Sequence, residues 1–223
     1  MNLHLYYCPG TCSFVPHVAL ELVKESSNQD YSGTVINLKN GEQLKPEYKA
    51  INPRGQVPAL IVDGKLVTQV MAITTFLHET FPKAQIFPTD AMAKAQAVSL
   101  LAWMNNTVHP TFTRVFRSER FGDEAGKAGV KAMALEAFKG YLSEIDGLVS
   151  KGQTYICGSQ LTPADIYAIA FIRWGGLAGI NPSNYPNYQA YATRLAALPV
   201  VRSEEHTSEL QSHHDLVCRL LLE

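Results

Sequence analysis

The segment from 52 to 60 reads NPRGQVPAL and leads from a loop into an apolar run. Asn-Pro and Arg-Gly are typical of a turn, and Pro58 opens the apolar run that follows. A proline lacks the N–H that would donate to a strand ladder, so it suits the first position of a strand. Pro58–Val62 and Leu66–Thr68 flank Asp63-Gly64, a strong hairpin signal. The segment therefore predicts an antiparallel hairpin.

Strand and helix signals alternate on both sides of this hairpin. In chain order they are strand Leu3–Tyr7, helix Ser13–Glu25, strand Thr34–Leu38, helix Pro46–Ile51, the hairpin, and helix Met71–Phe81. The order β-α-β-α-β-β-α predicts a parallel strand pair extended by an antiparallel hairpin. That arrangement is thioredoxin-like, and we expect it over residues 1–81.

The rest of the chain is predicted to be helical. Residues 82–90 form a polar linker punctuated by prolines, and residues 91–201 carry helical patterns throughout. The helices expected there are Ala93–Asn106, Glu124–Ser150, Thr162–Leu177 and Tyr188–Leu198. The predicted architecture is an α/β thioredoxin-like N-terminal domain followed by an all-α C-terminal domain.

Composition narrows the classes of function. The chain has 223 residues, 46% of them hydrophobic, and a formal net charge of −1, so nothing calls for a nucleic acid or an anionic membrane as partner. No apolar run approaches the ~20 residues of a spanning helix, and no secretory signal precedes the first strand. We expect a cytoplasmic protein with free thiols and no metal, since the cysteines lack zinc-ligand spacing.

The first candidate site is the turn Pro9-Gly10-Thr11-Cys12-Ser13 between the first strand and the first helix. A helix N-terminus stabilises negative charge and lowers the pKa of a thiol placed there. Cys12 or Ser13 would then handle a sulfur nucleophile, either its own or a bound one. The alternative is a small buried cysteine followed by a helix-capping serine.

Two further motifs have conformational readings. Most peptide bonds before proline are trans, so the spacing alone favours a trans Val57-Pro58 bond. A cis bond would instead turn the Val57 N–H and C=O outward, where they could bind a peptide-like ligand. Thr162-Pro163-Ala164-Asp165 reads as a capping box, with Thr162 as the N-cap and Asp165 reaching back to its N–H. That motif is structural.

Together and in this order, the Cys-Ser turn, NPRGQVPAL and the TPAD box resemble the glutathione transferases over residues 1–201. The turn Pro-Gly-Thr-Cys-Ser-Phe-Val-Pro-His is similar to that of the bacterial beta class. The resemblance implies glutathione as co-substrate, a homodimer, and transfer of glutathione to small electrophilic, apolar compounds, with thiol exchange through Cys12 as a further activity.

The resemblance also implies roles for particular residues. The implied catalytic residues are Cys12 and Ser13 beside the glutathione sulfur and His109 in the helical domain, facing the same cleft. The implied glutathione-binding residues are Gln56, Val57, Pro58, Gln69 and Val70. The resemblance also predicts that Val57-Pro58 is cis and that the Val57 N–H and C=O bind the cysteinyl backbone of glutathione. His109 would favour a thiolate by donating a hydrogen bond or carrying charge. The alternative for His109 is a surface histidine that breaks a helix before Pro110.

Gln69 and Val70 depart from the family pattern of an acid followed by a small hydroxyl residue. Gln69 can hydrogen-bond but carries no charge, and Val70 offers only its backbone N–H. Losing one charge-assisted hydrogen bond costs about 1.5–3 kcal/mol, so we expect weakened glutathione binding.

Two other functional classes stay open on the residues alone. One is a non-catalytic carrier of apolar ligands, which the Gln69-Val70 pair favours. The other is a dithiol oxidoreductase using Cys8 and Cys12, whose C-x-x-x-C spacing is one residue longer than that of redox C-x-x-C motifs.

The last 22 residues, 202–223, resemble a translated sequencing adapter. Residues 202–212 read RSEEHTSELQS, and Leu216–Glu223 match the downstream part of the same adapter in the same frame. His213, His214 and Asp215 between them leave room for a sample index. We therefore expect this tail to be non-native and the natural sequence beyond Val201 to be missing.

Overall fold

The structure is a computed structural model, and it describes residues 1–202. Apart from Arg202, the tail predicted to be non-native lies outside the described residues. The chain divides into two compact units. The first comprises Met1–Phe87 together with the described residues from Leu198 onward, and the second comprises Pro88–Ala197.

The first unit has the predicted order of strands and helices. Its elements are β1 (Leu3–Tyr7), α1 (Phe14–Ser27), β2 (Ser32–Val35), α2 (Pro46–Lys49), β3 (Ala59–Val62), β4 (Lys65–Thr68) and α3 (Val70–Thr80). The strands form one sheet in the order β2-β1-β3-β4. β1 runs parallel to β2 and antiparallel to β3, and β3 pairs antiparallel with β4, which confirms the thioredoxin-like prediction.

Side chains along β1 alternate between buried and partly exposed, and the buried ones contribute to the core of this unit. Leu3, Leu5 and Tyr7 are buried, while the residues between them are partly exposed. β2 begins and ends earlier than the predicted Thr34–Leu38. Its register with β1 closes at Tyr7↔Val35, so the ladder stops where β1 runs out of residues.

A tight turn before β3 places the backbone of the predicted binding segment. The Gln56 carbonyl oxygen accepts hydrogen bonds from the Tyr48 hydroxyl and the Asn52 amide, both at 2.7 Å. Gly55 has a φ of 60°, and a Cβ there would lie 2.7 Å from the Gln43 carbonyl oxygen. Only glycine fits this position without displacing backbone.

The second unit is all-helical. Its helices are α4 (Ala91–Trp103), α5 (His109–Phe116), α6 (Lys127–Val149), α7 (Pro163–Leu177) and α8 (Pro186–Ala196). α7 is the central helix, since it is buried over most of its length and packs against α4, α6 and α8. The predicted capping box is confirmed, because Thr162 and Asp165 form both of its reciprocal hydrogen bonds.

The helix predicted to end at Asn106 continues past it. A π-helical segment, Met104–Val108, joins α4 directly to α5, and the His109 N–H donates to the Met104 carbonyl oxygen five residues back. Pro110 has no N–H for the regular i→i−4 pattern, and a wider turn accommodates the missing donor. The chain therefore reaches His109 without a break, and the helix-breaking alternative for this residue is wrong.

Over residues 1–202, no helix combines the length and apolar character needed to cross a bilayer.

We predict that Gly55→Ala lowers the free energy of unfolding by at least about 1 kcal/mol, because alanine is strained at positive φ and its Cβ meets a backbone oxygen. Gly140→Ala is the matched control. Gly140 lies in α6 with open space around it, so alanine should stabilise by roughly 0.5–1 kcal/mol. Urea unfolding of both variants measures the difference, and equal stabilities would contradict the turn constraint.

Candidate functional site

The turn between β1 and α1 is closed by its own side chains. The Thr11 hydroxyl donates to the Cys8 carbonyl oxygen at 2.7 Å, and the Cys8 N–H donates to the Ser13 hydroxyl oxygen at 3.4 Å. Ser13 is fully buried at the N-cap position of α1, yet its hydroxyl does not cap the helix. The helix-capping alternative for Ser13 is therefore wrong. Its hydroxyl instead fixes the turn that carries Cys12.

Cys12 lies directly before the N-cap of α1, as predicted. The side chain keeps part of its accessible surface, but protein atoms crowd the sulfur, and this burial raises the pKa of the thiol to about 12. Backbone hydrogen bonding to Cys12 lowers the pKa, but by less than burial raises it. The expected lowering of this pKa is therefore wrong, because desolvation outweighs the helix N-terminus.

The Val57 backbone lies beside this thiol. Cys12 Sγ is 3.7 Å from the Val57 carbonyl oxygen and donates to it. Within residues 1–202 no acceptor meets the Val57 N–H. The Val57-Pro58 peptide bond is cis, and Pro58 itself is buried at the start of β3. Gln56, the residue before, has an exposed side chain and a carbonyl held by two hydrogen bonds.

Gln69 and Val70 form the start of α3. Gln69 is exposed and has φ 77° and ψ 132°, a sparsely populated conformation for a non-glycine residue. Val70 is buried, so its side chain belongs to the core and only its backbone faces the helix end. Arg54 Nη1 donates to the Thr68 hydroxyl at 3.3 Å, which ties the NPRGQ turn to the residue before Gln69.

His109 belongs to the second unit, where it contacts the aromatic face of α7. Its Nδ1 lies 2.6 Å from the Tyr167 hydroxyl, and its ring centroid is 5.0 Å from that of Trp174. Burial lowers the pKa of His109 to about 4, so the imidazole is neutral at neutral pH. His109 was expected to favour a thiolate either by donating a hydrogen bond or by carrying a positive charge. A neutral imidazole carries no charge, so only hydrogen-bond donation is compatible with the structure.

The structure connects Cys12, Ser13 and Val57 at one end of the sheet and gives roles to residues for which the sequence predicted none. Thr11 closes the turn, and Tyr48 and Asn52 hold the Gln56 carbonyl. The Asn-Pro pair is a turn signal that could have identified Asn52. No pattern could have identified Tyr167, which is 58 residues from His109 in sequence.

No group of three or more His, Cys, Asp or Glu side chains is arranged to hold a metal ion in the described part of the chain. In the first unit, the groups gathered around the turn are the Cys12 thiol, the Thr11 and Ser13 hydroxyls and the Val57 backbone.

Family models match both units. The model described as "Glutathione S-transferase, N-terminal domain" matches residues 1–79, and "Glutathione S-transferase, C-terminal domain" matches residues 103–199. Among curated proteins, glutathione S-transferase GstA of Escherichia coli O157:H7 is 30% identical over 203 residues, which cover 90% of this chain and 96% of that protein.

Solved structures agree. A glutathione transferase homologue from Sulfitobacter with bound glutathione is 26% identical, with a TM-score of 0.84 over 92% of this chain and 97% of that one. A beta-class glutathione S-transferase of Sphingomonas chungbukensis is 27% identical, with a TM-score of 0.78 over 92% and 98% of the two chains. On these matches to sequence and fold, the chain belongs to the glutathione S-transferase family.

Proposed function

We propose that the protein conjugates glutathione to small, electrophilic, apolar compounds, with glutathione bound by the first unit. The observation that carries this proposal is the Val57 backbone. Its N–H meets no acceptor within residues 1–202, and its C=O accepts only the weak S–H donor of Cys12. A backbone segment with an unpaired N–H next to a weakly bonded C=O can pair with another peptide backbone, and the cysteinyl residue of glutathione offers one.

The strained backbone of Gln69 supports the same assignment. A non-glycine residue at φ 77° costs of order 1–3 kcal/mol, and such residues concentrate at ligand sites. Gln69 is exposed and begins the helix α3, whose first N–H groups attract a carboxylate. We propose that Gln69 and the Val70 N–H bind the γ-glutamyl end of glutathione.

The conjugation step needs few groups from the protein. The glutathione thiol loses its proton to solvent, and the thiolate sulfur attacks the electrophilic carbon. With a chlorinated nitrobenzene, a C–S bond forms, the C–Cl bond breaks and chloride leaves with the electron pair. The enzyme supplies orientation and hydrogen bonds to the sulfur, and glutathione supplies the nucleophile.

The roles proposed for Cys12, Ser13 and His109 follow from their local environments. Cys12 is a thiol at neutral pH, so it serves conjugation as a hydrogen-bond donor and serves exchange only when it loses its proton. Ser13 positions the turn through its buried hydroxyl. His109 is neutral and acts as an N–H donor. A dithiol enzyme using Cys8 and Cys12 is disfavoured, because it would need a low thiol pKa.

We also propose that the protein is a cytoplasmic homodimer, with residues 1–81 as the glutathione-binding domain, 82–90 as the linker and 91–201 as the helical domain. The family resemblance supports this organisation. Sedimentation equilibrium tests it, and a monomer at micromolar concentration would contradict the homodimer.

We predict that Cys12→Ala weakens glutathione-dependent thiol exchange most, while conjugation of a chlorinated nitrobenzene persists because glutathione brings its own sulfur. His109→Ala should lower kcat by about ten- to a hundredfold, the effect of losing one catalytic hydrogen-bond donor. It should raise KM for glutathione by a smaller factor. Steady-state rates of both reactions in both variants measure this. If neither variant changes either rate in an active enzyme, the site assignment is wrong.

We predict that Cys12 reacts slowly with iodoacetamide. Because only the thiolate reacts, a pKa of about 12 makes alkylation at pH 7 on the order of a thousandfold slower than for a free cysteine. The rate should rise tenfold per pH unit up to pH 10 without levelling. Mass spectrometry of the Cys12 peptide in a Cys8→Ser background measures it. A plateau below pH 9 would contradict the raised pKa.

We predict that Gln69→Glu tightens glutathione binding by about tenfold, because a carboxylate that pairs with the γ-glutamyl ammonium replaces an uncharged amide. Gln85→Glu is the matched control, since Gln85 is also exposed and at positive φ in the first unit. Adding Val70→Ser should tighten binding further but destabilise the core, so its unfolding is measured alongside. Isothermal titration with glutathione compares the variants. An equal gain in both Gln variants would show a non-specific charge effect.

A further inference from the structure

The Tyr167 hydroxyl forms a hydrogen bond with the His109 ring. Its hydroxyl lies 2.6 Å from His109 Nδ1, a short distance even for an O–H···N bond. Tyr167 is fully buried, stacks on Phe171 with ring centroids 4.5 Å apart and meets Trp174 edge-on. The phenol is therefore fixed in place by rings on the same helix, and His109 binds to a rigid partner.

The Tyr167 hydroxyl and His109 Nδ1 can share a proton in either direction, and the neighbouring rings favour donation by the phenol. Phe171 has no polar atom, and the Trp174 indole nitrogen only donates. Of the rings packed against Tyr167, His109 alone offers a nitrogen lone pair. A neutral imidazole has one accepting and one donating nitrogen, so a phenol that donates to Nδ1 leaves the ring proton on Nε2.

The position of Tyr167 is set by where α7 begins. The helix begins at the Thr162–Asp165 capping box, and Tyr167, Phe171 and Trp174 follow at spacings of four and three residues on one face. His109 meets this face because the π-helical segment before it carries the chain past Pro110 without a break. Both partners of the hydrogen bond therefore lie on helices, Tyr167 on α7 and His109 at the start of α5.

We propose that Tyr167 is a positioning residue, whose hydroxyl donates to His109 Nδ1 and thereby keeps the ring proton on Nε2 as the hydrogen-bond donor for conjugation. This inference rests on the function proposed above. Tyr167 touches no substrate in this scheme and acts through His109 alone. It fixes both the orientation of the imidazole and the nitrogen that donates.

The tautomer is measured directly by ¹⁵N–¹H correlation spectra of the histidine-labelled, full-length protein, with His109→Gln identifying the signals. We expect the wild-type proton on Nε2 and an Nδ1 signal characteristic of a hydrogen-bond acceptor. Tyr167→Phe should move the Nδ1 signal to that of a free acceptor. A proton on Nδ1 in the wild type would overturn the assignment.

Kinetics test the role of the tautomer. Tyr167→Phe should lower kcat for conjugation by about two- to tenfold, the range of one hydrogen bond, and leave KM for glutathione nearly unchanged. In a His109→Gln background the same change should have little effect, because the Gln amide carries an N–H donor regardless of Tyr167. A kcat unaffected by Tyr167→Phe would overturn the proposal.

Tyr188→Phe is the matched control for the loss of a buried hydroxyl. Tyr188 is equally buried and donates to the Ala168 carbonyl oxygen on α7, so its removal destabilises the unit without touching His109. We expect lower stability, unchanged kcat and an unchanged His109 spectrum. An equal loss of kcat in Tyr167→Phe and Tyr188→Phe would mean that Tyr167 has only a structural role. A wild type without conjugation activity would refute the proposed function instead, and the spectrum would still decide the tautomer.

Discussion

The buried carboxylate of Asp165 fixes the helix around which the second unit is built. It accepts hydrogen bonds from the Thr162 N–H and hydroxyl, the Ile156 N–H and the Tyr191 hydroxyl. Burial raises its pKa, and these hydrogen bonds oppose that rise. A buried acid with this many donors sets the start of α7, since any shift of the helix would leave several polar groups unsatisfied. The aromatic face that meets His109 depends on this starting point.

The order of helices and strands could be predicted from the sequence, because short motifs mark several of their boundaries. The hairpin around Asp63-Gly64, the strand-initial Pro58 and the Thr162 capping box each specify structure within a few residues, and all three appear in the fold. Element ends were less predictable. β2 ends where its partner β1 ends, which is a property of the pairing and not of either segment alone.

Burial was the part of the site that local patterns could not predict. A helix N-terminus is visible in sequence and favours a thiolate, but the burial that raises the pKa of Cys12 is not, and one contact of its sulfur is Val57, 45 residues away. The lowered pKa of His109 has the same origin. Desolvation keeps both groups neutral at neutral pH, so the protein carries hydrogen-bond donors where the sequence suggested charges.

The positive φ of Gln69 has a consequence for how this protein can change. Glycine is the residue least strained at that backbone angle, so Gln69→Gly is the substitution expected to relieve the strain most fully. Glycine there would raise thermal stability and remove the exposed Gln69 amide. The side chain at this position is therefore kept at a cost to stability of order 1–3 kcal/mol.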